Sequence, residues 1–77
     1  MNTPLDCRGL SCPMPIVKIS RAMKDLRPGD TLTVTASDPS FGADIEAWVR
    51  KMRHTLVFFE DRGGVQTAVI LHATPTH

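Results

Sequence analysis

At 77 residues and 8.5 kDa the chain holds one domain at most, and surface scaling buries roughly 62% of it, a thin core that folds without a staple. Apolar residues at 42% and charged residues at 22% match soluble globular chains and exclude disorder, collagen and coiled coil. A net charge of +1 argues against a protein that lives on phosphate backbones, and apolar runs of only four residues, such as Leu56 to Phe59, exclude a transmembrane helix.

In chain order, Leu5 and Cys7 alternate with Asp6 and Arg8 and predict a short first strand over residues 4–8. Ile16, Ile19, Met23 and Leu26 then fall on one face of a helix that follows Cys12-Pro13-Met14-Pro15. Arg27-Pro28-Gly29-Asp30 ends it, because Pro28 cannot continue the ladder and Gly29 permits a left-handed turn. Thr31 to Ala36 alternates polar and apolar, a half-buried strand. Asp38-Pro39 reads as a helix start, with Asp38 as cap and Pro39 as the first helical residue. Phe41, Ile45, Trp48 and Met52 supply the apolar face of that helix, with Val49 beside them.

Two more strands follow, about Thr55 to Glu60 and Val65 to His72, joined by a hairpin turn at Asp61-Arg62-Gly63-Gly64. The order β-α-β-α-β-β predicts an α/β (α+β) two-layer sandwich, with a mixed four-stranded sheet and two helices on one face. Residues 1–77 are expected to form a single unit ordered over about 4–72, with the tail from Ala73 to His77 frayed. Phe58 and Phe59 are adjacent, so one faces the helices and the other the far side of the sheet. A monomer is expected, with that far side as the place for a weak dimer.

The first residues, Met1 to Asp6, lack the basic and apolar regions of a signal peptide, so a cytoplasmic location with reduced thiols is expected. Two cysteines are too few for a disulfide scaffold. His54, His72 and His77 are scattered, without the spacing of a zinc site, so no metal and no bound cofactor are expected.

Cys12 is where chemistry is expected. Gly9 bends the chain after the first strand, and Cys12 falls at or just before the first helical turn, with Pro13 at the first helical position and Pro15 still tolerated there. The positive end of the helix dipole would stabilise a thiolate or persulfide, and Arg8 and Lys18 are near enough in sequence to add positive potential. The competing reading, a small buried hydrophobe, fits poorly at a helix start bracketed by prolines. No histidine lies near Cys12 in sequence, so no general base is evident.

Leu5-Asp6-Cys7-Arg8-Gly9-Leu10-Ser11-Cys12-Pro13-Met14-Pro15 resembles the signature of the TusA/SirA family of small sulfur-carrier proteins, a Cys-Pro-x-Pro motif after an Asp-x-Arg-Gly-Leu-x stretch. Arg27-Pro28-Gly29-Asp30, Ser37-Asp38-Pro39 followed by Asp44-Ile45 and Trp48, and His54 resemble further family blocks, so the likeness covers about residues 5 to 60. The resemblance implies a carrier of sulfane sulfur, held as a persulfide on Cys12 and acting as a co-substrate more than as a complete enzyme. The donor would be a cysteine desulfurase or a rhodanese. Acceptors would serve tRNA thiolation, molybdenum-cofactor synthesis, or sulfur oxidation and thiosulfate metabolism. Persulfide transfer is thiolate attack on a sulfur–sulfur bond, and it needs an exposed, activated thiol.

Two positions depart from the family pattern. Cys7 replaces a small aliphatic residue; it is either an inward-packing strand residue or a second thiol that resolves the Cys12 persulfide as an intramolecular disulfide or is thiolated itself. Arg53 stands where a glycine is expected, so either it takes a left-handed conformation or the helix ends without that cap. Lys18, Arg21 and Lys24 form a basic stripe, read as a solvated helix face or as a docking surface, with Arg8, for acidic partners. Leu10 and Met14 flank Cys12 as exposed apolar residues suited to partner contact. Trp48 is assigned to the core and His72 to the surface.

Two rival functions stay open at this level. A small thiol oxidoreductase would use Cys7 and Cys12 as a dithiol–disulfide pair and need both. An RNA-binding module would need exposed aromatics and a basic face; two of the four aromatics are assigned to the buried helix face, which ranks it last, and no direct nucleic-acid contact is expected.

Overall fold

A computed structural model describes residues 1–73 and shows six elements: β1 (Asn2–Cys7), α1 (Met14–Met23), β2 (Thr31–Ala36), α2 (Phe41–Met52), β3 (Thr55–Arg62) and β4 (Val65–Leu71). The expectation for the tail beyond Ala73 lies outside the described residues. The predicted order β-α-β-α-β-β and the mixed four-stranded sheet are both present. The first strand starts at Asn2, earlier than its alternation suggested, because pairing to β2 begins at Asn2 opposite Thr31.

The strand order is β1-β2-β4-β3. β1 and β2 are parallel, as the α1 crossover requires. β4 is antiparallel to both β2 and β3, so the hairpin inserts its second strand between β2 and β3. Gly63 and Gly64, with φ of 57° and 87°, form the two-residue connection; two left-handed residues in succession match the twist of a tight hairpin.

Register sorts the faces. Cys7 lies opposite Ala36, Leu5 opposite Val34, and Val34 opposite Ala68, and the buried members Cys7, Leu32, Val34, Ala36, Ala68 and Ile70 all face the helices. Helix α1 covers them with Pro15, Ile19 and Met23, and α2 with Phe41, Ile45 and Val49. Each such aliphatic side chain removed from water contributes about 1.5–3 kcal/mol, and together they form one core cluster. Thr31, Thr33, Thr35, Thr67 and Val69 alternate onto the opposite, helix-free face. Phe58 is opposite Val69 on that face, whereas Phe59 is opposite Ala68 and approaches Gly42 of α2. A bulge between Leu56 and Phe58 leaves Val57, 57% exposed, on the edge strand.

Three packing assignments change. Trp48 is only half-buried and Met52 is 47% exposed, while Val49 takes the core position: the helix is rotated so that positions 41, 45 and 49 point inward. β4 ends at Leu71, and His72 is half-buried, its ring centroid 4.9 Å from that of His54 with the ring planes tilted by 56°. Leu10 is half-buried against the core, because the turn after β1 folds it back over the sheet.

Arg53 settles the question at the end of α2: it caps the helix in the left-handed conformation, φ 62° and ψ 28°. A side chain there is strained by about 1–2 kcal/mol, which glycine avoids at some entropic cost. Arg53→Gly is therefore expected to stabilise by about 0.5–1 kcal/mol, read as a rise in melting temperature of about 3–6 °C. An unchanged or lower value would show that Arg53 carries no strain.

Candidate thiol site at the ends of the parallel strands

Because β1 and β2 run parallel and in register to Cys7 and Ala36, the loops leaving them emerge side by side. The first loop turns immediately: Leu10 N–H donates to the Cys7 carbonyl at 3.2 Å, and Gly9 has a φ of 81°. The second loop then binds the first. Gly9 N–H donates to Ser37 Oγ at 2.9 Å, and Cys12 N–H donates to Asp38 Oδ2 at 2.8 Å. The buried side chain of Gln66, 3% exposed, holds Asp38 in turn by donating Nε2–H to its carbonyl at 2.8 Å. A strand of the sheet thus braces the loop that braces the cysteine.

Pro13 occupies the cap position of α1 and Met14 the first helical turn, one residue later than expected. The Cys12-Pro13 peptide is cis, and Met14 N–H donates to the Ser11 carbonyl at 2.8 Å. Cys12 therefore precedes the helix cap and is exposed, while Cys7 is fully buried at the end of β1. Pro15 packs into the core and Met14 is 48% exposed beside Cys12 in sequence.

The second helix also starts later than expected, at Phe41 with Ser40 as its cap residue. Asp38 caps a local turn instead: Ser40 N–H donates to its Oδ1 at 3.2 Å, and the Ser40 hydroxyl to its Oδ2 at 3.1 Å. Those amide donors, Ser40 first and Cys12 second, hold the Asp38 carboxyl below its ordinary range.

The electrostatics around Cys12 reverse the expectation of a cationic setting. Arg8 folds back onto Asp6, with Nε to Oδ1 at 2.9 Å and Nη2 to Oδ2 at 3.0 Å, and this pair lowers the Asp6 pKa to about 2. Lys18 donates Nζ–H to the Asp6 carbonyl at 3.0 Å. Neither cation is spent on Cys12. The thiol meets Asp44, in the first turn of α2, and its pKa is pushed up by a hydrogen bond to that carboxylate, then by lost hydration and by the charges of Asp44 and Asp38. Ser40 links the two acids, its hydroxyl lying 3.5 Å from Asp44 Oδ2. Burial pushes the Cys7 thiol up as well. Arg21 and Lys24 are exposed along α1 and make no ion pair among the described residues.

Ser40 and Gln66 are parts of the site that motif reading does not reveal, and Ser37 and Asp44, though within a block resembling the family, carried no role at the thiol in the sequence. Their signal is topological: a parallel β1–β2 pair must bring the loop after Ala36 beside the loop after Cys7. Among known proteins, the family model described as sulfurtransferase TusA matches residues 3–71, which contain every residue of this site. The chain belongs to the TusA family. Family relatives include a protein of Neisseria meningitidis serogroup A that bears a sulfur-carrier name, 40% identical over 88% of this chain and 92% of its own. YrkF of Bacillus subtilis, also bearing a sulfur-carrier name, is 44% identical over 79% of this chain. The chain spans only 33% of YrkF, so the family unit also occurs within longer proteins. The crystal structure of a SirA-like protein from Desulfitobacterium hafniense shares the fold, with a TM-score of 0.81 over 96% of this chain and all of that one, at 20% identity. No helix among the described residues is long and apolar enough to cross a membrane.

Proposed function

We propose that this member of the TusA family carries sulfane sulfur as a persulfide on Cys12 and passes it between protein partners. The observation that carries the reading is the contrast between the two thiols: Cys12 is exposed on a loop pinned through its own amide to Asp38, and Cys7 is sealed in the core. A sulfur relay needs one thiol that a donor and an acceptor can each reach in turn. The half-buried Leu10 and exposed Met14 flank Cys12 in sequence, and Arg21 within α1 and Lys24 at its end are exposed and make no ion pair among the described residues, which suits docking of an acidic face of a donor such as a cysteine desulfurase or rhodanese. A cytoplasmic setting, where thiols are kept reduced, suits such a relay. No resident cofactor is needed, since the cargo is the covalent sulfur itself.

The burial of Cys7 weighs against the dithiol alternative, because a disulfide would require it to leave the core. The relay is tested with sulfur-35. A rhodanese charged with outer-labelled thiosulfate is expected to label the wild type and Cys7→Ser, and the label is expected to move to a second thiol protein on mixing. Label that stays on the donor, or that needs both cysteines, would overturn the relay.

A further inference from the structure

The end of the sheet remote from Cys12 holds two half-buried histidines with opposite hydrogen-bonding demands. Thr31 pairs with Leu71 at that end, whereas Cys7 and Ala36 pair at the thiol end. Both rings stand on fixed backbone. His54 N–H donates to the Val49 carbonyl at 2.9 Å; His72 N–H donates to the Asp30 carbonyl at 2.8 Å and the His72 carbonyl accepts from Gly29 N–H at 3.1 Å. Ala73 then fixes the tautomers. Its N–H donates to His54 Nδ1 at 2.9 Å, so that nitrogen carries a lone pair and the neutral ring keeps its proton on Nε2. Its carbonyl lies 3.0 Å from His72 Nδ1, and a carbonyl only accepts, so His72 keeps its proton on Nδ1.

We infer that His54 is the pH-sensitive half of a clasp: its neutral ring holds the chain leaving β4 through Ala73, and its protonation lets that chain go. A second proton on His72 changes nothing there, because Nδ1–H still donates in the imidazolium. On His54 it turns the acceptor into a donor facing the Ala73 N–H, and the bond is lost. The surroundings offer the His54 imidazolium no counter-charge. A cavity of about 200 Å³ beside the pair is lined by Met23, Trp48 and Met52, with Lys24 as its charged member and no carboxylate. Arg53 precedes His54, and the Asp30 carboxylate is taken by the Met1 amino group and the Arg27 amide. Burial, then the charge of His72, hold the His54 imidazole below its ordinary range. The clasp is therefore closed above the ordinary histidine pKa and opens as pH falls through the lowered value. It is independent of the sulfur chemistry.

Nuclear magnetic resonance of the nitrogen-15-labelled full chain tests the clasp without any substitution. At about pH 8, long-range nitrogen–proton spectra are expected to show the Nε2–H tautomer for His54 and the Nδ1–H tautomer for His72. As pH falls to about 5, below the ordinary histidine range, His54 is expected to titrate below that range. In the same transition the Ala73 amide is expected to exchange about 2- to 10-fold faster after correction for its intrinsic rate, the scale of one hydrogen bond. His54→Asn cannot titrate and presents an amide oxygen where Nδ1 stands, so Ala73 exchange in that variant is expected to lose its pH step. An Nδ1–H tautomer at His54, or Ala73 exchange that does not change as His54 titrates, would overturn the clasp. So would a His54→Asn protein that keeps the wild-type pH step. Unfolding of the whole chain over that range, read by circular dichroism, would overturn a local clasp as well.

Discussion

A Phe41→Ala variant is expected to lose about 3–5 kcal/mol of stability, the range for truncating a large buried aromatic. Phe41 is 1% exposed, is the largest fully buried side chain, and opens α2 immediately after the loop that grips Cys12. A domain of 77 residues has roughly 4–12 kcal/mol to lose, so the variant is expected to melt about 15 °C or more below wild type. The loop goes with the core: Phe41 N–H donates to the Asp38 carbonyl at 2.9 Å, the same oxygen that Gln66 holds. Circular dichroism melts decide the matter. A fall of less than about 5 °C, equivalent to about 1 kcal/mol, would show that Phe41 does not organise the core.

The second large effect is on chemistry rather than stability. Asp38→Ala is expected to slow sulfur loading of Cys12 by about 10- to 100-fold, the scale on which a misplacement of about 1 Å acts. The carboxylate accepts from the Cys12 amide, the Ser40 amide and the Ser40 hydroxyl, so alanine frees both loops at once. Asp38→Asn keeps one acceptor oxygen and is expected to fall between wild type and alanine. A positioning role predicts that maximal loading rate falls while half-saturation by a small persulfide donor barely moves. Equal rates in all three proteins would contradict it. The lowered pKa of Asp38 means that its support is fully present above the ordinary carboxylate pKa and is lost as pH falls through the lowered value. The anchor is therefore intact at neutral pH.

Local periodicity made most of the elements legible. The inward faces of α1 and β2 were readable because Ile19, Met23, Leu32 and Val34 recur at helix and strand periods. The face of α2 was ambiguous, since Trp48 and Val49 are adjacent and both apolar; only packing against the sheet chose Val49. Strand order was not readable, because a hairpin joins β3 to β4 without saying which of them lies beside β2.

At the site, the motif located Cys12 but misjudged its electrostatics. Proximity in sequence suggested that Arg8 and Lys18 would serve the thiol, whereas Arg8 pairs with Asp6 two residues earlier. The groups that do meet Cys12, Asp38 and Asp44, come from 26 and 32 residues downstream, separations fixed by the crossover through β2. A search for histidines near the cysteine could not find them. Once β1 and β2 are known to be parallel, the residues following Ala36 become the natural place to look.

The central claim is that Cys12 alone bears the sulfur, and intact mass tests it most directly. The reduced protein would be incubated with a cysteine desulfurase and cysteine, beside Cys12→Ser and Cys7→Ser. An added mass of one sulfur is expected in wild type and Cys7→Ser, absent from Cys12→Ser, and removed by later reductant, which distinguishes it from an irreversible sulfinic acid. No adduct on any form would contradict the carrier account, and an oxidative loss of two hydrogens that requires both Cys7 and Cys12 would contradict it in favour of a dithiol.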